Sequence, residues 1–545
     1  MKEGDIVLQK LAKILALVLV LTVFILPAAE AGKKLKEKVD DTAARQKRIL
    51  FIPHDNRPIS DKQTADVVRE LGYEVIVPPD DMLGSRTDLG HPEELWAWAE
   101  NHASEVGAAV ISSDSMLYGS LVGSRKHAYE RGEVMERLRN FEAFRAAHPA
   151  LPLYVFGSIM RTPRSGEASG TEEPGYYRNY GADIFRYTLL TDKKETEGLT
   201  ARERKEYAFL EKLIPEQSMK DWMDRRNKNF AANQKMIDFT RNGTFDYFVL
   251  GRDDNAPYSQ THMEGRKLLE YSKGLGSSKF QTMSGIDEIA LLLLSRAVNN
   301  LERSMPFVYV RYNKGTGGTT IPAYSDEHIQ DSIRSAAVAA GTMIVASPEK
   351  AEFVLLVNTN PDGRTYEAND RANDGTPRDG TQYFLDLAKE YIAKGYPVGI
   401  ADVAYANGAD NALMEGLKRE ELLFKLRAYS GWNTPTNSTG FAVAEGVLAE
   451  HMTDEARDRL LLTRYLDDWA YQANVRNTIG RQLGWLRGSG VYASLDDKMI
   501  GVQYRADRMM REFADHNLPP LEELREIKMV FPWNRMFEAD VQLAK

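Results

Sequence analysis

Short apolar runs alternate with helical patterns through most of this chain, and the alternation is the strongest constraint on its fold. Residues 49–53 are apolar on both faces, as is a strand buried in a parallel sheet. An apolar face at helical spacing follows between Thr64 and Leu71, Gly72 stands where that helix should stop, and a second apolar run covers residues 73–77. Such a βαβ unit requires parallel strands and a right-handed connection.

The same pattern continues through the first half of the chain. Further strands are predicted at residues 108–112, 153–157, 247–250 and 280–283. A charged stretch at residues 192–241 has helical spacing and predicts an exposed helical insertion. Six parallel strands with helices fit either a TIM-like barrel or an open doubly wound sheet, and we favour the barrel.

A second alternation begins after about residue 300. Its predicted strands are at 307–311, 343–346, 353–358, 398–402 and 426–429, and its predicted helices are at 326–340, 383–393 and 411–419. The sequence therefore predicts an α/β protein with a first α/β domain at residues 48–300 and a second at 301–445. A helical C-terminal region at 446–545 is expected to pack back on the core.

The N-terminal residues have the pattern of a secretory signal. Lysines precede an apolar run at residues 14–26, and small residues follow it at 29–31. The run is shorter than the roughly 20 residues that a membrane-spanning helix needs. We therefore expect a signal peptide at 1–31, a charged linker at 32–47 and an extracytoplasmic location in the cell envelope or medium. After signal cleavage we expect no stable membrane insertion.

Composition excludes several classes of function. The net charge of −9 and the pI near 5.7 argue against nucleic-acid binding, which needs a basic face. The chain has no cysteine, so it has no disulfides, no thiol nucleophile and no cysteine-ligated zinc. The P-loop, nucleophile-elbow and HExxH motifs are also absent from the sequence.

Polar residues collect directly after the predicted strands. Because the carboxyl ends of parallel strands meet at one edge of a sheet, we expect these side chains to surround one cleft. Each residue alone could equally be a turn or helix-cap residue, so only the whole set predicts a site. The candidates are Asp55, Asn56, Arg57, Asp114, Tyr118, Arg161, Asp253, Asp254, Asn255, Asp287, Glu288, Asp402, Asn407, Trp432 and Asn433.

The adjacent carboxylates Asp253 and Asp254 suggest acid–base chemistry. Two carboxylates held close together repel, which raises the pKa of one and leaves the other ionised. General acid–base catalysis near neutral pH needs that division. We predict Asp254 as one catalytic carboxylate and Asp114 or Glu288 as the other, and we assign the remaining candidates to substrate binding.

Nine stretches carry a resemblance that runs almost from end to end of the chain. They are FIPHDNRP (51–58), SSDSMLYGSLVGSR (112–125), IMRTP (159–163), GRDDNAP (251–257), GIDEIALLLLSR (285–296), ADVAYANGAD (401–410), AYSGWNTPTNSTG (428–440), RYLDDWAYQANVR (464–476) and FPWNRMFE (531–538). In these stretches the chain resembles the bacterial family of unknown function DUF4127. The resemblance leads us to expect an acidic residue at position 56, where this chain has Asn56, so Asp55 is the better carboxylate candidate. The family brings no established activity.

Three functions fit these observations. The first, which we favour, is an exported carbohydrate-active enzyme, a glycoside hydrolase that uses two carboxylates and no cofactor on a carbohydrate substrate. Trp432, Tyr118 or Trp533 would stack on a sugar ring. The second is a metal-dependent hydrolase, and the third is a non-catalytic, exported glycan-binding protein.

The second function is a metal-dependent hydrolase of an ester, amide or phosphodiester. In that case Asp55, Asp114, Asp253 and Asp254 would form an oxygen-rich site for calcium or magnesium. Insensitivity of the activity to chelation would count against it.

Overall fold

The computed structural model describes residues 44–166, 171–484 and 494–543. The predicted signal peptide at 1–31 and most of the predicted linker at 32–47 lie outside these residues. Among the described residues, no helix combines the length and the apolar character that crossing a membrane requires.

Two parallel sheets form the centre of the protein. The strands are β1 Arg48–Ile52, β2 Glu74–Ile76, β3 Ala108–Ser112, β4 Leu153–Ile159, β5 Tyr247–Arg252, β6 Phe280–Ser284, β7 Phe307–Tyr312, β8 Met343–Ile344, β9 Phe353–Asn358, β10 Tyr366–Glu367, β11 Val398–Asp402, β12 Tyr405–Ala406, β13 Ala428–Ser430, β14 Ile527–Val530 and β15 Asp540–Leu543. The first sheet has the order β2-β1-β3-β4-β5-β6 and the second has the order β13-β11-β9-β7-β8. Strands β10 and β12 form a small parallel pair, and β14 and β15 form an antiparallel pair.

Both large sheets follow the doubly wound strand order. Counted within each sheet, the order is 2-1-3-4-5, and the first sheet adds a sixth strand. The chain therefore reverses its direction of progress beside β1 in the first sheet and beside β7 in the second. In sheets of this kind, ligands bind beyond the carboxyl ends of the strands at such a switch point.

The preference for a barrel in the first half is wrong. Within the described residues, β2 and β6 are the edges of the first sheet, and β8 and β13 are the edges of the second, so neither sheet closes. Barrels and doubly wound sheets share the alternation of strands and helices. Only strand order separates them, and strand order depends on tertiary packing that a local pattern does not record.

Helices cover both faces of the sheets. They are α1 Lys62–Arg69, α2 Pro92–His102, α3 Ser113–Tyr118, α4 Leu121–Lys126, α5 Arg131–Ala147, α6 Tyr177–Thr196, α7 Ala201–Leu213, α8 Glu216–Arg241, α9 Gln260–Tyr271, α10 Ile289–Glu302, α11 Ile329–Ala339, α12 Thr381–Ala393, α13 Asn411–Arg419, α14 Pro435–Leu448, α15 Asp454–Arg464, α16 Arg476–Gln482 and α17 Met499–Asn517, with a π-helix over Tyr465–Val475. The helical insertion begins earlier than predicted, at Tyr177, and a capping box between Thr200 and Glu203 starts its second helix.

One apolar core extends from the first sheet to the second. It includes Phe51 of β1, Leu355 of β9 and Phe441 of α14. Every residue of α14 is buried, and this helix contacts α10 and α11 as well as the strands of the second sheet. Burial of α14 between the two halves therefore positions one sheet against the other.

Helix α14 depends on a glycine at its contact with β9. A Cβ atom at Gly446 would lie 2.0 Å from Cζ of Phe353, and Gly399 of β11 faces the same ring at a similarly short distance. We predict that Gly446→Ala lowers the free energy of unfolding by about 1–3 kcal/mol, because overpacking outweighs the roughly 1 kcal/mol that alanine contributes to a helix. Denaturant unfolding followed by circular dichroism measures this change.

Gly501→Ala in α17 is the matched control. A Cβ atom there would meet no other atom within 4 Å, so the free energy of unfolding should stay the same or rise slightly. Equal losses in the two variants would contradict the packing argument.

Candidate functional site

Loops from both sheets meet around one pocket of about 590 Å³. The first sheet contributes the loops after β1, β3, β4, β5 and β6, and the second contributes the loops after β7 and β13. Asn407 follows β12 of the small β10–β12 pair. The pocket therefore lies where the switch-point rule for doubly wound sheets places a ligand. Its lining consists of Asp55, Arg57, Leu121, Val122, Arg125, Arg161, Glu172, Asp253, Asp254, Ile286, Asp287, Tyr324, Asn407, Asn433, Thr434, Trp533, Arg535, Phe537 and Glu538.

Arg57 joins two of the predicted carboxylates at one wall of the pocket. Its Nε donates to Asp55 Oδ1 and Oδ2 at 3.0 and 2.9 Å, and its terminal nitrogens donate to Asp287 at 2.7 and 3.4 Å. His54 Nε2 lies 3.1 Å from Asp287 Oδ1, and Asn433 Nδ2 donates to Asp287 Oδ2 at 2.7 Å. One guanidinium group thus joins the loops that follow β1 and β6, and Asn433 joins the loop after β13 to the Asp287 carboxylate.

These contacts keep both carboxylates ionised. Burial would raise the pKa of Asp55, but the charge of Arg57 outweighs it and lowers the pKa below its ordinary value. Burial also opposes ionisation of Asp287, yet the Arg57 charge and the hydrogen bond with His54 hold its pKa well below the usual range. Two carboxylates and one guanidinium leave this wall with a net negative charge.

Glu172 is the centre of a second network. Arg125 and Arg161 donate to its Oε2 at 3.1 and 2.9 Å, and Arg535 donates to its Oε1. Burial would raise the pKa of Glu172, but the three arginine charges lower it well below the ordinary value. The neighbouring Glu173, which accepts from Arg161 Nε at 2.6 Å, has a pKa raised by burial.

The predicted pair Asp253 and Asp254 extends this network to the mouth of the pocket. Arg125 holds Asp253 at 2.5 Å and Arg161 holds Asp254 at 2.8 Å. The side chain of Asp254 is 30% exposed, whereas that of Asp253 is 8% exposed. Burial and then the charge of Asp253 raise the pKa of Asp254 to about 6, although Arg161 opposes the rise. Asp254 is therefore the more exposed member of the pair and has a raised pKa.

The mouth is formed by residues in a left-handed backbone conformation. Asp254, Tyr324, Asn407 and Asn433 have φ angles of 38°, 63°, 63° and 60°. The rim is also tied together, since Asn407 N donates to Asn433 O at 2.7 Å, and Tyr324 Oη and Asn407 Nδ2 both donate to Glu367. Non-glycine residues held at positive φ cost about 1–3 kcal/mol each and cluster at functional sites.

A segment near the end of the described chain completes the wall. Trp533 Nε1 donates to Asn56 Oδ1 at 2.8 Å, so the predicted binding residue Asn56 anchors this segment and does not line the pocket. The guanidinium groups of Arg57 and Arg535 lie 5.4 and 5.1 Å from the Trp533 ring. Arg535 joins Glu172 to Glu538.

Eight candidates line the pocket and a ninth borders it. Asn255 lies in an adjoining groove that also contains Arg161 and Asp254. The eight are Asp55, Arg57, Arg161, Asp253, Asp254, Asp287, Asn407 and Asn433.

The two carboxylates predicted as partners of Asp254 lie outside the pocket. Asp114 is buried beneath it, and burial raises its pKa to about 7. Glu288 points into the packing between the halves, where a Cβ atom at Gly440 would lie 2.3 Å from its Cγ. Neither carboxylate oxygen of Glu288 has a hydrogen-bond partner among the described residues, and burial raises its pKa well above the ordinary value. Asp287, its neighbour in sequence, is the residue that enters the pocket.

Three other candidates are buried in the protein and do not line the pocket. Tyr118 is buried and stacks on His127 with ring centroids 4.7 Å apart. Trp432 is 4% exposed and packs in the core near Phe537. Asp402 is fully buried at the end of β11, where Asn358, Tyr429 and the backbone nitrogen of Asp410 donate to it.

Several lining residues are missing from the sequence prediction. Arg125, Glu172, Tyr324, Arg535 and Glu538 do not directly follow a strand. Arg535 and Glu538 do lie in a stretch that carries the family resemblance, FPWNRMFE, in which charged residues stand among aromatic ones. That unusual mixture was the available signal for them.

Among the described residues, no group of three or more histidine, aspartate or glutamate side chains has the geometry to hold a metal ion. The carboxylates of the pocket accept hydrogen bonds from arginine instead.

The family model described as a protein of unknown function, DUF4127, matches residues 49–542. The chain belongs to this family. No curated protein and no solved structure matches the chain. In this DUF4127 protein, the matched region contains both sheets and the whole pocket.

Arg161 should be essential to stability because it neutralises three carboxylates at once. We predict that Arg161→Met lowers the free energy of unfolding by about 3–5 kcal/mol at pH 8, since Glu172, Glu173 and Asp254 lose a buried cation. Without the cation, the folded-state pKa values of Glu173 and Asp254, which are already raised, rise further, and the lowered pKa of Glu172 moves back toward its ordinary value. The loss should therefore be smaller at pH 5, which denaturant titrations at the two pH values can measure.

Arg186→Met is the matched control. Arg186 donates two hydrogen bonds to Glu206, but both side chains are more than one-third exposed. The expected loss is about 0.2–1 kcal/mol and should change little between the two pH values. A loss as small as this in Arg161→Met would show that the pocket does not depend on its ion pairs.

Proposed function

We propose that this protein is a glycoside hydrolase in which Asp254 is the general acid and Asp287 is the ionised partner carboxylate. One observation carries the proposal. Within a single pocket, the pKa of Asp254 is raised to about 6 while that of Asp287 is lowered well below its ordinary value. Environments that push the pKa values of two carboxylates apart assign one to acid and the other to base or charge-stabilising chemistry.

Asp254 is suited to protonate a leaving group. It is the most exposed of the aspartates that line the pocket, and it stands at the mouth, where a glycosidic oxygen can reach it. Arg161 donates to Oδ2 at 2.8 Å and so orients the carboxyl group. A general acid with a pKa near 6 carries its proton in mildly acidic solution and still gives it up readily.

Asp287 is suited to stabilise positive charge on the sugar. Glycoside hydrolysis passes through a transition state that resembles an oxocarbenium ion. The wall formed by Asp55, Arg57 and Asp287 carries a net negative charge, and Arg57, His54 and Asn433 fix the orientation of the Asp287 carboxylate. This replaces the predicted partners Asp114 and Glu288 with a carboxylate that shares the pocket.

The remaining polar groups suit sugar hydroxyls. Asn407 and Asn433 present amide groups at the rim, and Tyr324, which is 37% exposed, offers an aromatic ring there. These are the kinds of contact that hold a neutral, hydroxyl-rich ligand.

Replacing the general acid should affect substrates according to their leaving groups. We predict that Asp254→Asn lowers kcat at least about 100-fold on unactivated glycosides. The loss should be much smaller on aryl glycosides with acidic phenol leaving groups, because these depart without protonation. Steady-state assays on a panel of aryl glycosides and cell-wall glycans measure both values.

Asp238→Asn is the matched control. Asp238 lies near the end of α8, just before β5 begins, and is therefore at the opposite edge of the sheet from the pocket. The kcat values of Asp238→Asn should equal those of the wild type. Thorough chelation should leave the activity of the wild type unchanged. Failure of the wild type to cleave any member of the panel would falsify the proposal.

The pH dependence should report Asp254. Because its pKa is about 6, the carboxyl group loses its proton as the pH rises through 6, and kcat on unactivated glycosides should fall about tenfold per unit above that. Asp287 stays ionised down to strongly acidic pH, so it imposes no loss between pH 4 and 6. A pH–rate profile that rises between pH 6 and 8 would be inconsistent with an acid role for Asp254.

A further inference from the structure

The pocket continues into a larger groove. The groove has a volume of about 1620 Å³, and it shares Arg161, Asp254 and Tyr324 with the pocket. The groove is the larger of the two spaces. The two spaces therefore meet at the proposed general acid.

Three buried residues form part of the pocket wall and do not line the groove. Trp533, Arg535 and Glu538 line the pocket but not the groove, and each is at most 3% exposed. They are fixed there by the hydrogen bond from Trp533 to Asn56 and by the ion pairs that Arg535 makes with Glu172 and Glu538. A chain that enters past Asp254 meets a buried, charge-paired wall.

The groove has the surface of a polymer site. Tyr324 and Tyr366 are each 37% exposed and Ile321 is 46% exposed, and the groove also contains the polar groups of Arg364 and Glu367. Aromatic rings at such sites stack on successive flat ligand faces.

From this geometry we infer that the protein acts from the chain end: the pocket takes one terminal sugar and the groove takes the rest of an oligosaccharide. This inference rests on the proposed function. Asp254, at the junction, donates its proton to the oxygen that links the two parts. The bond from that oxygen to the terminal sugar breaks, water supplies hydroxide to the sugar and restores the proton of the acid, and the shortened chain leaves through the groove.

Oligosaccharides labelled at the reducing end test this inference. Labelled cello-, xylo-, manno-, malto- and chito-hexasaccharides are incubated with the wild-type protein, and the first products are separated by chromatography. We expect free monosaccharide and a labelled pentasaccharide before any shorter labelled product. Tyr366→Ala should raise KM for the hexasaccharide at least fivefold and leave kcat/KM for the matching aryl monoglycoside unchanged.

Tyr504→Ala is the control for the groove variant, because Tyr504 lies on α17, is 72% exposed and borders neither space. It should change neither parameter. Labelled products from the middle of the chain would overturn chain-end action while the proposed function stands. Cleavage of aryl glycosides without cleavage of any hexasaccharide, or no effect of Tyr366→Ala, would overturn the role of the groove. If nothing is cleaved, both proposals fail together.

Discussion

A single carboxylate, that of Glu172, accepts hydrogen bonds from three arginines, and the pocket is arranged around that contact. Each arginine also holds a second acid: Arg125 holds Asp253, Arg161 holds Asp254, and Arg535 holds Glu538. Buried charges are costly unless they are paired and hydrogen-bonded, so these groups hold one another in place. Loops that follow β3, β4 and β5 and a segment from the far end of the chain are thereby fixed at one point. Burial at this point and the charge of Asp253, opposed by Arg161, raise the pKa of Asp254, on which the proposed chemistry depends.

The two sheets make that meeting of loops possible. Each is doubly wound, and each directs loops from its strand ends toward the same space. Helix α14, buried along its whole length, sets how the halves face each other. Neither half alone supplies the site, because Asp254 and Asp287 come from the first sheet, whereas Asn407 and Asn433 come from loops of the second region of the chain. The rim residues with positive φ angles come from both halves of the protein. The packing of the two halves therefore holds the strained backbone at the mouth in place.

Local sequence pattern predicts some of these features and misses others for identifiable reasons. The strand Val398–Asp402 and the helix Asn411–Arg419 occur at their predicted bounds. An apolar run and helical periodicity are patterns of neighbouring residues, so the local sequence is enough to predict them. Asp254 and Asp287 were found because they follow strands directly. The local pattern does not predict strand order, which depends on tertiary packing. It also does not predict the choice between Asp287 and Glu288, which depends on which side chain faces the pocket once the halves pack. Arg535 lies hundreds of residues from Glu172 in sequence, and local spacing carries no information about that pair.

The wall segment also makes the pocket depend on the far end of the sequence. Residues 533–538 follow every other lining residue and every strand of the two large sheets. A chain that lacked these residues would still contain all the strands of both sheets, but Glu172 would have two arginine partners instead of three. Enclosure of the pocket is therefore encoded separately from the strands that position its loops.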